Sequence, residues 1–177
     1  MALGQALARP RSAGVVRARE AGAAEQAMPE LRVRDLCRED VAGVARIDAL
    51  HTGRSKRRYW EGVFGRFLQS APGPLRIGLG AEAAGRLVGY LLGEVRAFEF
   101  GSEECGWIFA VAVDPGAGRE GVGSHLLAEA CARFRDGGVP RVRTMVRRND
   151  VPVLAFFRGN GFRGGPFVQL ELDLDET

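Results

Sequence analysis

The sequence has few of the residues that build metal centres and disulfide scaffolds. Its 177 residues include three cysteines, two histidines and no Cys-x-x-Cys pair, so neither a zinc site nor a disulfide framework is expected. The three cysteines cannot all pair with one another, and Cys131 falls on the predicted buried face of a helix, which favours a reducing compartment. We therefore predict a protein with no metal and a cytoplasmic location.

Long apolar runs and a strong excess of one charge are also absent. No hydrophobic stretch approaches the roughly 20 residues needed to cross a bilayer, and 27% of the residues are charged. The net charge is only +3, and the arginines are scattered without interleaved aromatic side chains. The basic cluster at residues 54–58 is the one exception, which we interpret as the solvated start of a helix. Neither a membrane nor a nucleic acid is an expected partner.

The length and composition predict one folded domain with an N-terminal extension. Residues 1–28 are rich in Ala, Gly and Arg and show no sustained apolar period, so we predict a non-core, flexible extension. Residues 29–177 are expected to form the domain. Glu20 and Glu25 argue against a transit peptide, and a true start at Met28 is the alternative.

Apolar patterns along this domain predict a mixed α/β (α+β) sheet, mostly antiparallel, with helices on both faces. Strands are predicted at 31–36, 76–81, 86–95, 105–113, 141–147 and 168–174, and helices at 41–50, 55–68, 122–134 and from Asn149. Residues 105–113 are apolar throughout, which is typical of a central strand covered on both faces. Residues 168–174 alternate strictly between apolar and polar, which predicts a half-exposed terminal strand.

A glycine-rich turn follows the central strand and precedes a predicted helix. Strand, loop and helix N-terminus together form an anion site, because glycines let unpaired backbone N–H groups converge at the positive end of the helix dipole. Residues 116–121 spell G-x-G-x-x-G, the dinucleotide fingerprint. Their position after antiparallel strands argues against a Rossmann domain, and no Gly-Lys-Ser/Thr follows to make a P-loop. A phosphate or pyrophosphate is the predicted ligand.

The loop and a later motif together resemble the GNAT superfamily of acetyl-CoA-dependent N-acetyltransferases. The superfamily's loop reads Gln/Arg-x-x-Gly-x-Gly/Ala, which falls on residues 118–123 with Gly118 at the Gln/Arg position. Residues 149–162, an asparagine opening a helix that ends in aromatic-x-x-x-Gly-Phe, are similar to its later motif. The resemblance covers roughly residues 31–174 and implies the three-layer GNAT fold.

This resemblance implies transfer of an acetyl group from acetyl-CoA to a primary amine by direct attack. The acceptor is then a small-molecule or protein amine, a non-catalytic acyl-CoA-binding module is the alternative, and a homodimer is left open. The implied cofactor contacts are the strand end Val111, Ala112 and Val113 along the pantetheine, the loop Gly118, Arg119, Glu120, Gly121, Val122, Gly123 and Ser124 around the pyrophosphate, and Asn149 and Phe157 near the pantetheine.

The resemblance gives few groups for acid–base chemistry. Glu103 and Glu104 are the implied catalytic carboxylates, and their alternative is a pair of solvated turn glutamates. Phe157 stands where much of the superfamily has a tyrosine that protonates the departing thiolate, and phenylalanine has no proton to donate. Asn149 could equally be a plain helix cap, and His51 either contacts substrate or is structural.

Overall fold

One five-stranded mixed sheet organises the chain. The computed structural model describes residues 30–68, 73–97, 103–117 and 121–174. The strands are β1 (Arg32–Asp35), β2 (Arg76–Ala83), β3 (Arg86–Arg96), β4 (Cys105–Val113) and β5 (Val142–Thr144), and the helices are α1 (Val41–Thr52), α2 (Arg57–Phe67), α3 (Val122–Asp136) and α4 (Val151–Gly159). The predicted N-terminal extension, residues 1–28, lies outside the described residues.

The strands lie in chain order across the sheet, β1-β2-β3-β4-β5. The first four pair antiparallel, and β5 pairs parallel to β4 over three residue pairs only. β2 and β3 form a hairpin whose turn residues Ala84 and Gly85 both have positive φ, 49° and 71°, as a tight two-residue turn requires. β4 and β5 are joined by α3, because parallel neighbours need a crossover connection.

Two hydrophobic clusters cover the two faces of the sheet. On one face α3 and the end of α4 pack on β2, β3 and β4, with Leu126, Phe134 and Phe157 among the buried residues. A side chain at Gly106 would begin 2.8 Å from the Phe134 ring, so this helix approaches β4 closely. On the other face α1 and α2 pack on β3 and β4, and the ring centroids of Trp60 and Tyr90 are 5.3 Å apart. None of the helices in the described ranges is long and apolar enough to cross a membrane.

The structure confirms the predicted fold class and most of the predicted elements. The central strand has the predicted bounds, Cys105–Val113, while β5 covers only three of the seven residues predicted for it.

The prediction of a terminal strand at residues 168–174 is wrong. These residues have no strand assignment, and the Leu170 side chain is 89% exposed. Alternation shows that a segment has an apolar face, but it does not supply a neighbouring strand to pair with.

Candidate active site

β4 contains a bulge near its middle. Leu92 pairs with Ala110 and Gly93 pairs with Ile108, so Phe109 is an extra residue on β4. β5 pairs with β4 only as far as Ile108. Beyond the bulge, the described residues contain no strand beside the outer edge of β4. We call this stretch, residues 109–113, the open edge.

The direction of the peptide groups at the open edge follows from a hydrogen bond on the opposite side of β4, where it pairs with β3. The Asp114 N–H donates to the Val88 carbonyl at 2.7 Å, so this peptide group faces β3. Because peptide groups alternate along a strand, those of Ala112 also face β3, while the N–H and C=O groups of Val111 and Val113 face outward. Of the three residues predicted to pair with pantetheine, Val111 and Val113 therefore present backbone groups to the open edge.

His51, at the end of α1, contacts the last of these groups. Its Nε2 lies 2.7 Å from the Val113 carbonyl oxygen. Since a carbonyl only accepts, this bond requires the proton on Nε2. The C-terminal end of α1 is therefore fixed beside the open edge, where β4 meets the start of α3.

The N-terminus of α3 presents free donors at the same place. Its N-cap is Gly121, with φ of 71°, a left-handed conformation that favours glycine, and no side chain among the described residues caps the helix. Within the described ranges, the first-turn N–H groups of Val122, Gly123 and Ser124 therefore have no side-chain partner, and they lie at the positive end of the helix dipole. The other predicted loop residues, Gly118, Arg119 and Glu120, lie outside the described residues.

Asp114 fixes the turn that leads into this loop. Its carboxylate accepts from the Gly116 N–H at 2.9 Å and from Arg46 Nη1 at 2.7 Å, and Arg86 lies 3.8 Å away. These contacts, with the Arg46 hydrogen bond first among them, hold the pKa of Asp114 below its usual value. The sequence analysis missed Asp114, although Asp-Pro-Gly is a turn signal. The pairing with Arg46, 68 residues away, leaves no sequence signal.

Helix α4 closes the other side of this region. A side chain at Gly123 would begin 3.0 Å from the Phe156 ring and 3.6 Å from the Val113 side chain, so the end of β4, the start of α3 and the middle of α4 lie together. Phe157 is 4% exposed, and its ring centroid lies 5.0 Å from that of Phe156 and 5.1 Å from that of Phe162.

The cap of α4 differs from the prediction. Asp150, not Asn149, is the N-cap residue, and its side chain accepts from the Val153 N–H at 3.2 Å. Asn149 is exposed and accepts from the Val151 N–H through its backbone carbonyl. The plain-cap alternative for Asn149 is therefore wrong, because a carboxylate one residue later takes that role.

Glu103 and Glu104 lie at the opposite end of β4 from the glycine-rich turn. Both side chains are exposed, and Glu103 is 3.7 Å from Arg141. Glu104 and Phe109 are five residues apart, about 17 Å along an extended strand. The structure therefore does not bring these carboxylates to the open edge, and their catalytic role stays a prediction.

A buried polar cluster lies beneath the loop between α1 and α2. Asp48 is 8% exposed, and its Oδ2 is 3.3 Å from Lys56 Nζ but not aligned for a hydrogen bond. The buried Trp60 Nε1 also has no hydrogen-bond partner among the described residues. Tyr90 lies against the Trp60 ring, and burial raises the pKa of its hydroxyl. This cluster packs on the sheet face opposite α3, one helical turn from His51.

The cysteines lack the features of an activated nucleophile. Cys105 is buried, and burial raises the pKa of its thiol. Burial likewise raises the pKa of Cys131. Within the part of the chain that the structure describes, no three His, Cys, Asp or Glu side chains are grouped to hold a metal ion.

Comparison with known proteins assigns the sequence to one family. The sequence profile of the acetyltransferase (GNAT) family matches residues 49–162. Among curated proteins, no sequence matches the chain. Similar solved structures include the aminoglycoside N-acetyltransferase AAC(6')-Iy in complex with CoA, 14% identical with a TM-score of 0.70, covering 82% of this chain and 96% of that one.

Two further structures share the fold. A transcriptional regulator from Bacillus halodurans C-125 is 16% identical with a TM-score of 0.68, covering 82% of this chain and 100% of its own. A ribosomal-protein-alanine N-acetyltransferase from Brucella melitensis biovar Abortus 2308 is 14% identical with a TM-score of 0.65, covering 81% and 99%. With the family profile spanning most of the domain, the chain belongs to the GNAT family of acetyltransferases.

Proposed function

We propose that the chain transfers an acetyl group from acetyl-CoA to a primary amine. One observation carries this proposal: the open edge of β4 lies next in the chain to the N-terminus of α3, which no side chain of the described residues caps. CoA has an extended pantetheine arm with amide groups, followed by a pyrophosphate. The backbone groups of the open edge match the amides, and the first-turn N–H groups of α3 match the pyrophosphate. Acetyl-CoA would supply the activated acyl carbon.

The chain's own groups would bind and orient this ligand. The outward N–H and C=O groups of Val111 and the N–H of Val113 would bond the pantetheine amides as an added strand does. The first-turn N–H groups of α3, with Gly118, Arg119 and Glu120, would hold the pyrophosphate. Asn149 would contact the pantetheine from the β5–α4 connection. His51 already binds the Val113 carbonyl and would border the arm at that point.

The reaction needs two proton transfers as the C–N bond forms and the C–S bond breaks. The acceptor ammonium must lose a proton before attack, and the thiolate must gain one. We keep Glu103 and Glu104 as the proposed base, acting through water because of their distance from the bulge. Phe157 supplies no proton, so we propose that water protonates the thiolate.

We propose a small-molecule primary amine as the acceptor, with a protein α-amine as the alternative. The first is supported by the similar aminoglycoside acetyltransferases and the second by the similar ribosomal-protein-alanine N-acetyltransferase. A peptide beginning with alanine and an aminoglycoside such as sisomicin separate the two in one thiol-release assay.

Ligand-induced stabilisation tests the binding step. Acetyl-CoA at 100 times its Kd adds about 2.7 kcal/mol to the free energy of unfolding. For a domain of this size that raises Tm by roughly 5–10 °C. NAD is the control, because the G-x-G-x-x-G reading predicts stabilisation by the dinucleotide instead. No shift with acetyl-CoA or CoA would overturn the proposal.

The second candidate function is acyl-CoA binding without catalysis. Phe157 and the separation of Glu103 and Glu104 from the bulge favour it. It predicts the same stabilisation by acetyl-CoA but no release of CoA thiol with any amine of a broad panel. Thiol release that depends on the amine would exclude it.

A further inference from the structure

The open edge of β4 carries different side chains on its two faces. Val111 and Val113 pack against the cluster on the α3 side, where Phe156 of α4 also lies close to the start of α3. The opposite face carries Ala110 and Ala112, which are small, half-buried and packed against the cluster of α1 and α2. The side of α1 and α2 therefore leaves the most room for an acceptor amine at the open edge.

The connection between α1 and α2 borders this side of the open edge. The hydrogen bond between His51 Nε2 and the Val113 carbonyl oxygen fixes the end of α1 there. Gly53, with a left-handed φ of 68°, ends the helix, and α2 begins at Arg57. Residues 54–58 read Arg-Ser-Lys-Arg-Arg, and all five are exposed. We call residues 54–58 the basic segment.

The charges around the basic segment do not cancel. The elements that form this side of the sheet, α1, α2, β3 and β4, contain three acidic residues, and each is already in an ion pair. The pairs are Asp48 with Lys56, Glu61 with Arg57, and Glu94 with Arg96. Arg54 and Arg58 are exposed and have no acidic partner among the described residues. Two cations of the basic segment therefore remain available to a ligand.

This charge pattern discriminates between classes of amine. A polycationic amine, such as an aminoglycoside, would bring further ammonium groups toward Arg54 and Arg58, and the nearby carboxylates are already paired. An amine that carries a carboxylate or phosphate would instead pair with the guanidinium groups, which bind both anions through two parallel hydrogen bonds. Repulsion of one class and attraction of the other both favour the anionic acceptor.

We propose that the acceptor is a primary amine that carries a carboxylate or phosphate group, and that Arg54 and Arg58 determine this specificity. The inference rests on the proposed acetyl transfer and narrows its acceptor. The amine would lie over Ala110 and Ala112, and the anionic group would extend toward the basic segment. A small acidic amine and the N-terminus of an acidic peptide share this chemistry.

Three amines that differ only at the end far from the reacting amine test the specificity. They are hexylamine, its analogue with a carboxylate at the far end and its analogue with a second amine there. In a thiol-release assay with acetyl-CoA, kcat/KM should be at least tenfold higher for the carboxylate analogue than for the diamine, with hexylamine between them. Added salt should reduce this difference, because the arginines are exposed and their charges are screened.

Charge reversal in the basic segment tests the residues. The double variant Arg54→Glu/Arg58→Glu should change the preference between the two charged amines at least tenfold in favour of the diamine, mainly through KM. Its kcat/KM for hexylamine should stay within about twofold, because that amine has no charge at its far end. Arg32→Glu/Arg38→Glu is the matched control. Both arginines are exposed, and β1 lies at the opposite edge of the sheet, so this variant should keep the natural preference.

The outcomes separate this inference from the proposed function. Equal kcat/KM for the three amines, or a preference that the Arg54→Glu/Arg58→Glu variant does not change, would overturn the inference and leave acetyl transfer in place. Stabilisation by acetyl-CoA without thiol release from any amine would contradict acetyl transfer itself. Peptides that begin with alanine and continue with aspartates or with lysines identify the source of the anionic group. A higher kcat/KM for the acidic peptide than for the carboxylate analogue would assign that group to a protein acceptor.

Discussion

Asp114 joins helix α1 to the turn after β4 through one carboxylate. It receives hydrogen bonds from Arg46 on α1 and from the Gly116 N–H in the turn after β4. We expect Asp114→Asn to lower the free energy of unfolding by about 1–2 kcal/mol at pH 7, because Arg46 is partly exposed and solvent weakens the pair. Urea unfolding of both proteins measures this difference.

The pH dependence of this effect has a defined sign. Because the pKa of Asp114 is lowered in the folded state, its stabilisation is full above the usual carboxyl pKa of about 4. It is lost as pH falls through the lowered value, so the difference between natural and variant protein should shrink below about pH 4. Glu61→Gln, in an exposed pair with Arg57, is the control and should change stability by less than about 0.5 kcal/mol. A constant difference down to pH 2.5 would contradict the assignment.

Gly121 and Gly138 allow backbone strain to be separated from ligand binding. Both have left-handed φ, 71° and 79°, at opposite ends of α3, and no atom of the described residues lies within 3.4 Å of a side chain added at either position. Alanine at either position should destabilise the protein by about 1 kcal/mol. Only Gly121→Ala should weaken CoA binding, about tenfold by calorimetry, because it distorts the donors at the N-terminus of α3. Equal Kd values for the two variants would argue against this helix as the pyrophosphate site.

Phe157 tests whether α4 reaches the reacting sulfur. Tyrosine there supplies a proton donor, and we expect a kcat increase on the order of tenfold. Because the ring is 4% exposed, the added hydroxyl should also lower the stability of the free protein by about 1 kcal/mol. Phe156→Tyr adds the same hydroxyl one residue away and should leave kcat unchanged. Lower stability with unchanged kcat would make Phe157 a packing residue alone.

At the scale of elements, β4 beyond the bulge at Phe109 carries two classes of amide, because successive peptide groups alternate in direction along the strand. The Val111 and Val113 N–H groups face the open edge and should exchange quickly in the free protein, while Ala112, which faces β3, should exchange slowly. Saturating CoA should slow exchange at Val111 and Val113 at least tenfold and leave Ala112 unchanged. NMR-detected hydrogen exchange resolves the three residues, and protection of none of them would exclude strand-like binding of the pantetheine.

The elements also show what sequence patterns predict well. The apolar run at Cys105–Val113 and the glycines that follow it predicted β4 and the start of α3, because burial and turn chemistry are local properties. The bulge was not predicted, since a register shift depends on the partner strand. The local pattern also gave the wrong N-cap for α4, because it indicated Asn149 while the next residue, Asp150, takes that position.

Long-range contacts set the remaining parts of the site. No pattern in the sequence joins Arg46 to Asp114 or His51 to the Val113 carbonyl, because such pairs depend on how α1 crosses the sheet. The same limit explains residues 168–174. Their alternation was correctly recognised, but whether a strand forms depends on a partner edge.

At the scale of the molecule, one hydrophobic cluster begins at Leu31 and the other at Leu36. Every strand and helix described, and all residues of both clusters, come from position 31 onward. We therefore expect a chain that starts at Met28 to keep its Tm within about 2 °C and its stabilisation by acetyl-CoA. Differential scanning calorimetry of the two lengths measures this. A loss of more than about 5 °C would show that residues 1–27 contribute to the folded domain.

The ion pair between Lys56 and Asp48 has a practical consequence for assays of the whole protein. Lys56 is the single lysine among 25 basic residues. Arginine in its place keeps a positive charge beside the Asp48 carboxylate and leaves a chain with no ε-amine. Acetyl-lysine found after incubation of this variant with a protein acceptor would come from the acceptor alone, so one substitution removes the enzyme's own background signal.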